Sequence, residues 1–347
     1  MNRKSFYVIF FLLFIIALDS FIEDNPYFII TKKDVELKIP KGFPKPAYNL
    51  KKNKITPEGF LLGRKLFYDP ILSRDSSTSC ASCHQRFVAF AHIDHPLSHG
   101  INGLIGKRNV PALQNLIWKS SFMADGGVNH LDVQPIAPIT NPTEMDETLS
   151  HVLQKLQRNK EYVAMFNAAF HRTTITSEMM LKAISQFLML MISNNSRYDK
   201  YLAGEEQFSE KEERGLKLFR SHCENCHKEP LFTDNSFRNI GLRPDTTLND
   251  SGRAAITGLA SDYMKFKVPS LRNVELTYPY MHDGRIKRLE FVMRHYAEGN
   301  FFTDNVDSSV VRNVGLSDTA KADIIAFLKT LTDQTFLHDR RFDNPNQ

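Results

Sequence analysis

Hydrophobic and polar positions along this chain repeat with helical rather than strand spacing, and most of the clear periods open on a recognisable cap. Thr56-Pro57-Glu58 sets a capping threonine before a proline at the first helical position. The helix it predicts runs through Gly63-Arg64-Lys65-Leu66-Phe67 and ends before Asp69-Pro70. Ser209 with Glu212 makes a capping box for a second helix, which carries Gly215-Leu216-Lys217-Leu218-Phe219. Thr176 to Ser193 is a strongly apolar stretch that reads as a buried core helix, so Met179, Met180, Met189 and Met191 are core positions before they are ligand candidates. Ser317 to Leu331 predicts a closing amphipathic helix with Ile324, Ile325, Phe327 and Leu328 turned inward. Strand signals are sparse. The expected fold class is mainly α.

The N-terminus breaks this pattern. Arg3 and Lys4 precede an unbroken apolar run from Phe6 to Leu18. That is the length of a signal-peptide apolar region and short for a membrane span. No small-x-small cleavage site follows. Residues 1–20 are therefore expected to be a signal peptide or a retained membrane anchor, and 21–54 a linker. Either leader would send the chain to the periplasm, soluble after cleavage or tethered. The net charge of +5 comes without a Lys/Arg stripe and gives no case for nucleic acid.

The chemistry lies in the cysteines. All four belong to two copies of one motif, Cys80-Ala81-Ser82-Cys83-His84 and Cys223-Glu224-Asn225-Cys226-His227. Two thiols at this spacing reach the two vinyl groups along one haem edge, and the adjoining histidine ligates the iron; the pattern marks c-type haem attachment. A redox dithiol or half a zinc site is the plainer reading of one such pair, but both pairs carry the histidine. The expected cofactors are two covalently bound haem c groups. No cysteine is left for a structural disulfide.

A longer repeat surrounds these motifs. Each half has a Gly-x-Lys-Leu-Phe helix ahead of the cysteines, and Pro111-Ala112-Leu113-Gln114-Asn115 matches Pro269-Ser270-Leu271-Arg272-Asn273. Twelve residues after each of those prolines stands a methionine, Met123 and Met281, opening Met-x-Asp-Gly. We read an internal duplication: two cytochrome c-like helical domains, 55–200 and 205–340, with one haem each.

On these motifs, with KRNVPAL at 107–113, ADGGVNHLDVQPIAPITNPTEM at 124–145, TYPYMHDG and HYAEG, residues from about 50 to 340 resemble the bacterial di-haem cytochrome c peroxidases and their MauG-type relatives. The resemblance implies that peroxide reacts at the N-terminal haem, with His84 on its iron. Electrons from a small cytochrome c or cupredoxin would enter at the C-terminal haem of His227. It puts Gln134, Pro138 and Glu144 on the distal loop, with Glu144 as the catalytic carboxylate; the plainer reading of Glu144 is a first-turn helix glutamate. The ligand position of some members' distal histidine falls near Ile101, so His92, His95 and His99 read as surface loop residues and the first iron is expected to be open or water-bound. The second iron's sixth ligand is contested between Tyr296 and Met281. Calcium ligands map to Asn109, Thr277 and Pro279, where ordinary turn residues are the alternative. One departure stands out: the family's bridging tryptophan position holds Ala124, and Trp118 reads as a core aromatic.

The leading functional expectation is a peroxidase acting on hydrogen peroxide. The alternatives are a MauG-type oxidase of a protein or organic substrate, and a non-enzymatic electron carrier. Whether the chain forms a homodimer is left open.

Overall fold

The structure, a computed structural model, describes residues 30–346, so the expected leader at 1–20 lies outside the described residues. The main helices are α1 (Pro57–Tyr68), α2 (Leu149–Arg158), α3 (Lys160–Phe170), α4 (Ser177–Met189), α5 (Arg197–Ala203), α6 (Glu210–His222), α7 (Leu289–Glu298) and α8 (Asp318–Lys329). Two short strands, β1 (Phe237–Arg238) and β2 (Phe266–Lys267), pair antiparallel. The fold is mainly helical, as the sequence predicts. The caps are where the sequence puts them: Thr56 accepts from Gly59 N, and Ser209 and Glu212 satisfy each other's backbone. Among the described residues no helix is long and apolar enough to cross a membrane.

Two helix pairs build the two cores, and they share one packing plan. Gly63 of α1 lies directly on α4, and Gly215 of α6 lies directly on α8. A Cβ at Gly63 would meet Ala183 O at 1.9 Å, and one at Gly215 would meet Asp323 O at 2.0 Å. The lysine-leucine-phenylalanine that follows each glycine places Phe67 and Phe219 one turn later. Phe67 meets Phe187 at 5.1 Å between centroids, and Phe219 meets Phe327 at 5.0 Å. Phe90 and Phe232 complete each trio, at 5.8 Å from Phe67 and 5.5 Å from Phe219. All six rings are buried.

The Pro-x-Leu-x-Asn segments dock in matching fashion. Asn115 and Asn273 both adopt left-handed backbone, φ 55° and 60°. Their N–H groups donate to Met191 O and Leu331 O, just past α4 and α8. Asn115 Oδ1 then accepts from Ser193 N, and Asn273 Oδ1 accepts from Asp333 N. The two segments meet each other through Gln114, whose amide donates to Arg272 O and accepts from Asn273 Nδ2. This buried polar seam ties one core to the other.

Two segments depart from a simple division along the chain. Residues 30–54, read above as linker, are irregular but packed: Tyr48 is buried, its hydroxyl donates to Asp132, and Trp118 Nε1 donates to Pro44 O at 2.7 Å. Trp118 is the core aromatic expected of it. At the other end, Phe336, Leu337 and Phe342 belong to the first core, not the second. Tyr68 OH donates to Phe342 O, and Arg64 donates to Arg341 O. Phe336 and Phe342 pack their rings against Phe90, and Phe342 also against Phe187, so burial of apolar surface holds this segment on the first core.

Candidate active site: two unequal Cys-x-x-Cys-His centres

The first centre begins at a one-turn helix, Cys80–Cys83, closed by a capping box between Ser79 and Ser82. The second starts at the C-cap of α6, so its cysteines extend from a long helix. In both, the histidine is fixed by a backbone carbonyl. His84 Nδ1 lies 2.7 Å from Phe90 O, and His227 Nδ1 lies 3.2 Å from Phe232 O and 3.1 Å from Pro269 O. A carbonyl only accepts, so each Nδ1 carries the proton and each Nε2 presents a free lone pair. Phe90 and Phe232 turn their carbonyls inward by adopting left-handed backbone, φ 58° and 54°. Neither residue belongs to the attachment motif, and the available signal in the sequence was a phenylalanine six and five residues after the two histidines.

Electrostatics keeps these groups neutral. Burial pushes His84 down to about 4 and lowers His227 as well. Burial pushes Cys80 and Cys223 up to about 12, and raises Cys83 and Cys226. A reactive dithiol needs the opposite, a depressed thiol pKa. Zinc would need further ligands, and among the described residues no group of three or more His, Cys, Asp or Glu is placed to hold a metal. A neutral imidazole with a free Nε2 beside two unpaired thiols fits haem iron and haem attachment instead.

The surroundings of the two centres differ. At the first, Glu144 lies close enough that its charge raises both Cys80 and Cys83. Its own carboxyl is raised by burial, partly offset by a 2.9 Å hydrogen bond from Asn141 Nδ2. The backbone holds it there: Ile101 N donates to Glu144 O, and Cys83 Sγ donates to His99 O at 3.4 Å. Pro138 belongs to the same loop, accepting from Met145 N, while Gln134 turns its amide toward Met123 Sδ at 3.8 Å.

At the second centre the corresponding group is a phenol. Tyr296 on α7 lies near both Cys223 and Cys226, and burial, then those thiols, raises its pKa. Met281 and Met123 share left-handed backbone, φ 76° and 63°, each inside a turn closed by a bridge, Tyr280↔Ile286 and Phe122↔Val128. The paired methionines thus occupy matching turns.

The loop histidines are not all on the surface. His92 is buried, stacks on His95, and lies near enough to His84 to disfavour its protonation. His95 in turn faces His99 at 4.2 Å. Asn109 bonds across the halves, its N–H donating to His282 O and its Nδ2 to Pro96 O; these contacts join it to neither Thr277 nor Pro279. Ala124 O accepts from Lys267 N of β2, so the place of the expected tryptophan is a backbone contact between distant parts of the chain.

Residues 57–207 match the family model described as di-haem cytochrome c peroxidase. The methylamine utilization protein MauG of Methylorubrum extorquens is 33% identical over 304 residues, covering 84% of this chain and 82% of that protein. The chain belongs to the di-haem cytochrome c peroxidase family. The cytochrome c551 peroxidase of Nitrosomonas europaea is also 33% identical, over 80% of this chain and 82% of its own length. The crystal structure of a MauG-like protein associated with microbial copper homeostasis superposes with a TM-score of 0.83 at 32% identity, covering 90% of this chain and 99% of that one. The family implies haem, and the residues described above fit it.

Proposed function

We propose that this di-haem family member is a peroxidase that reduces hydrogen peroxide to water, with electrons from a small cytochrome c or cupredoxin entering at the His227 centre. In balance, one peroxide takes up two electrons and two protons and leaves as two waters. The haems, held through Cys80/Cys83 and Cys223/Cys226 thioethers, supply the iron site for peroxide and the stored electron. His84 and His227 each offer a neutral Nε2 whose direction is set by the carbonyl behind it. The matching Gly-x-Lys-Leu-Phe helices, phenylalanine trios and anchored asparagines support an internal duplication, with residues 55–200 and 205–340 as its halves.

The observation that carries the reading is Glu144. A buried carboxyl with a raised pKa, beside the first centre alone, suits a group that takes a proton from one peroxide oxygen and returns it to the other. Asn141 orients it. By the family resemblance Gln134 is assigned to the same distal loop. The direct test is peroxide-dependent oxidation of a reduced small cytochrome by the purified protein; no oxidation of the cytochrome would contradict the peroxidase reading, and no reaction with peroxide in any redox state would leave only an electron carrier.

A second reading has its own support. Tyr296 at the second centre and Ala124 between the centres favour a MauG-type oxidase of a protein or organic substrate, since a phenolate ligand stabilises oxidised iron. Peroxide consumption coupled to substrate oxidation, with little cytochrome turnover, would select it.

A further inference from the structure

Where the two halves meet, positive charge accumulates without counter-ions. Lys267 of β2 donates to Ser121 O at 2.6 Å and to the Ser121 hydroxyl. Its ammonium sits 4.8 Å from the centre of the Phe237 ring, over which the Arg253 guanidinium also lies at 3.9 Å. Arg253 donates to the Asp125 carbonyl, not to a carboxylate. Lys119 lies near enough for its charge to repel that of Lys267, and among the described residues its ammonium makes no hydrogen bond or ion pair.

The acids nearby are already engaged. Arg108 binds Asp250 through two nitrogens, at 2.6 and 2.8 Å, and Asp125 through a third at 2.6 Å. Asp262 pairs with Lys265 at 3.1 Å. Against these three carboxylates stand five cations, Arg108, Lys119, Arg253, Lys265 and Lys267, leaving two positive charges unmatched. Burial pushes Lys119 down to about 8, and burial with repulsion from Lys119 and Arg253 pushes Lys267 down to about 7. Uncompensated buried ammonium groups cost stability unless an anion meets them.

The place of that anion follows from the lining. Trp118 and Lys119 from the first half, with Leu231, Thr233, Asn235 and Ser270 from the second, border one cleft. Leu231 and Thr233 flank Phe232, and Ser270 follows Pro269; those two carbonyls hold His227. The unmatched charge therefore adjoins the second centre. A haem edge carries two carboxylates, the number of charges left over.

We propose that Lys119, Arg253 and Lys267 form the cradle for the propionate carboxylates of the haem at His227. The cradle rests on the haem-bearing reading above and adds a role for three residues outside the attachment motifs. Positive charge beside the propionates favours reduced iron at this centre, which suits an electron-entry site. Lys119 has no partner to lose, so its neutral replacement keeps the fold.

The experiment uses the full haem-loaded protein and the variants Lys119→Met, Lys267→Met and Lys267→Arg, with the surface change Lys182→Met as a charge control. Intact mass under denaturing conditions counts the haems, and spectroelectrochemical titration gives both midpoint potentials. The second haem's midpoint should fall by about tenfold in its reduction equilibrium, about 59 mV for one electron, in each Lys→Met cradle variant. It should hold in Lys267→Arg and Lys182→Met. Selective loss of the second haem from the Met variants also supports the cradle. Haem-loaded Met variants whose midpoints match the control, or a shift confined to the first haem, would overturn it. A wild-type mass without haem would refute the underlying reading instead.

Discussion

Gly63 stands against Ala183 so closely that a Cβ would fall 1.9 Å from the alanine's carbonyl oxygen, and Gly215 repeats the relationship with Asp323. Alanine is the better helix former by about 1 kcal/mol, so helix propensity alone predicts that Gly63→Ala stabilises. The close approach of α1 to α4 reverses the sign. Gly63→Ala and Gly215→Ala should each destabilise by about 1–3 kcal/mol as the helix pairs are forced apart. Urea midpoints of the two variants against wild type measure this; a gain in stability would mean the helices do not touch as described.

Glu144→Gln should lower peroxide turnover by about 10²–10⁴-fold while both haems remain attached, because the amide cannot accept the proton. The raised carboxyl sets the pH dependence. Turnover of the wild type should rise as Glu144 ionises, through a range above that of an ordinary glutamate. Stability runs the other way. A carboxyl whose folded pKa lies above its unfolded value contributes fully at low pH, and that contribution is lost as pH climbs through the folded pKa. Glu144→Gln should therefore be more stable than wild type at neutral pH and equal to it in acid, as thermal melts at the two pH values would report.

Arg272 is fully buried and binds Asp199 through two 2.8 Å hydrogen bonds, while its counterpart in the first half is the neutral Gln114. Arg272→Gln makes the halves alike at this position but leaves Asp199 without its cation. The expected loss is about 3–5 kcal/mol, as for breaking a buried pair. Denaturant titration checks it, and the double variant Arg272→Gln with Asp199→Asn should recover part of the loss.

Much of this was readable from local pattern. The Thr56 and Ser209 caps, the paired Gly-x-Lys-Leu-Phe helices and the two Cys-x-x-Cys-His motifs each lie within a few residues of the structure they specify. Helix spacing likewise marked the inward face of α8. The rest depends on contacts between distant residues. Nothing near Phe342 says that its carbonyl will meet Tyr68, 274 positions away. Nor does sequence charge reveal that Lys119 and Lys267 converge, since the net charge of +5 averages over the whole surface. His92 looked like a loop histidine because its loop is polar, yet its ring is buried toward His84. Phe90 and Phe232 escaped notice because their use lies in the backbone: the carbonyl, not the ring, meets the histidine.

The proposed function requires two centres built on one frame to have unequal iron environments, with Glu144 beside one and Tyr296 beside the other. Electron paramagnetic resonance of the oxidised and half-reduced protein, repeated on Tyr296→Phe, reads both irons at once. The expected result is a high-spin signal from the His84 centre that the substitution leaves alone, and a low-spin signal from the His227 centre that it changes. Two indistinguishable low-spin centres, both unmoved by Tyr296→Phe, would contradict it.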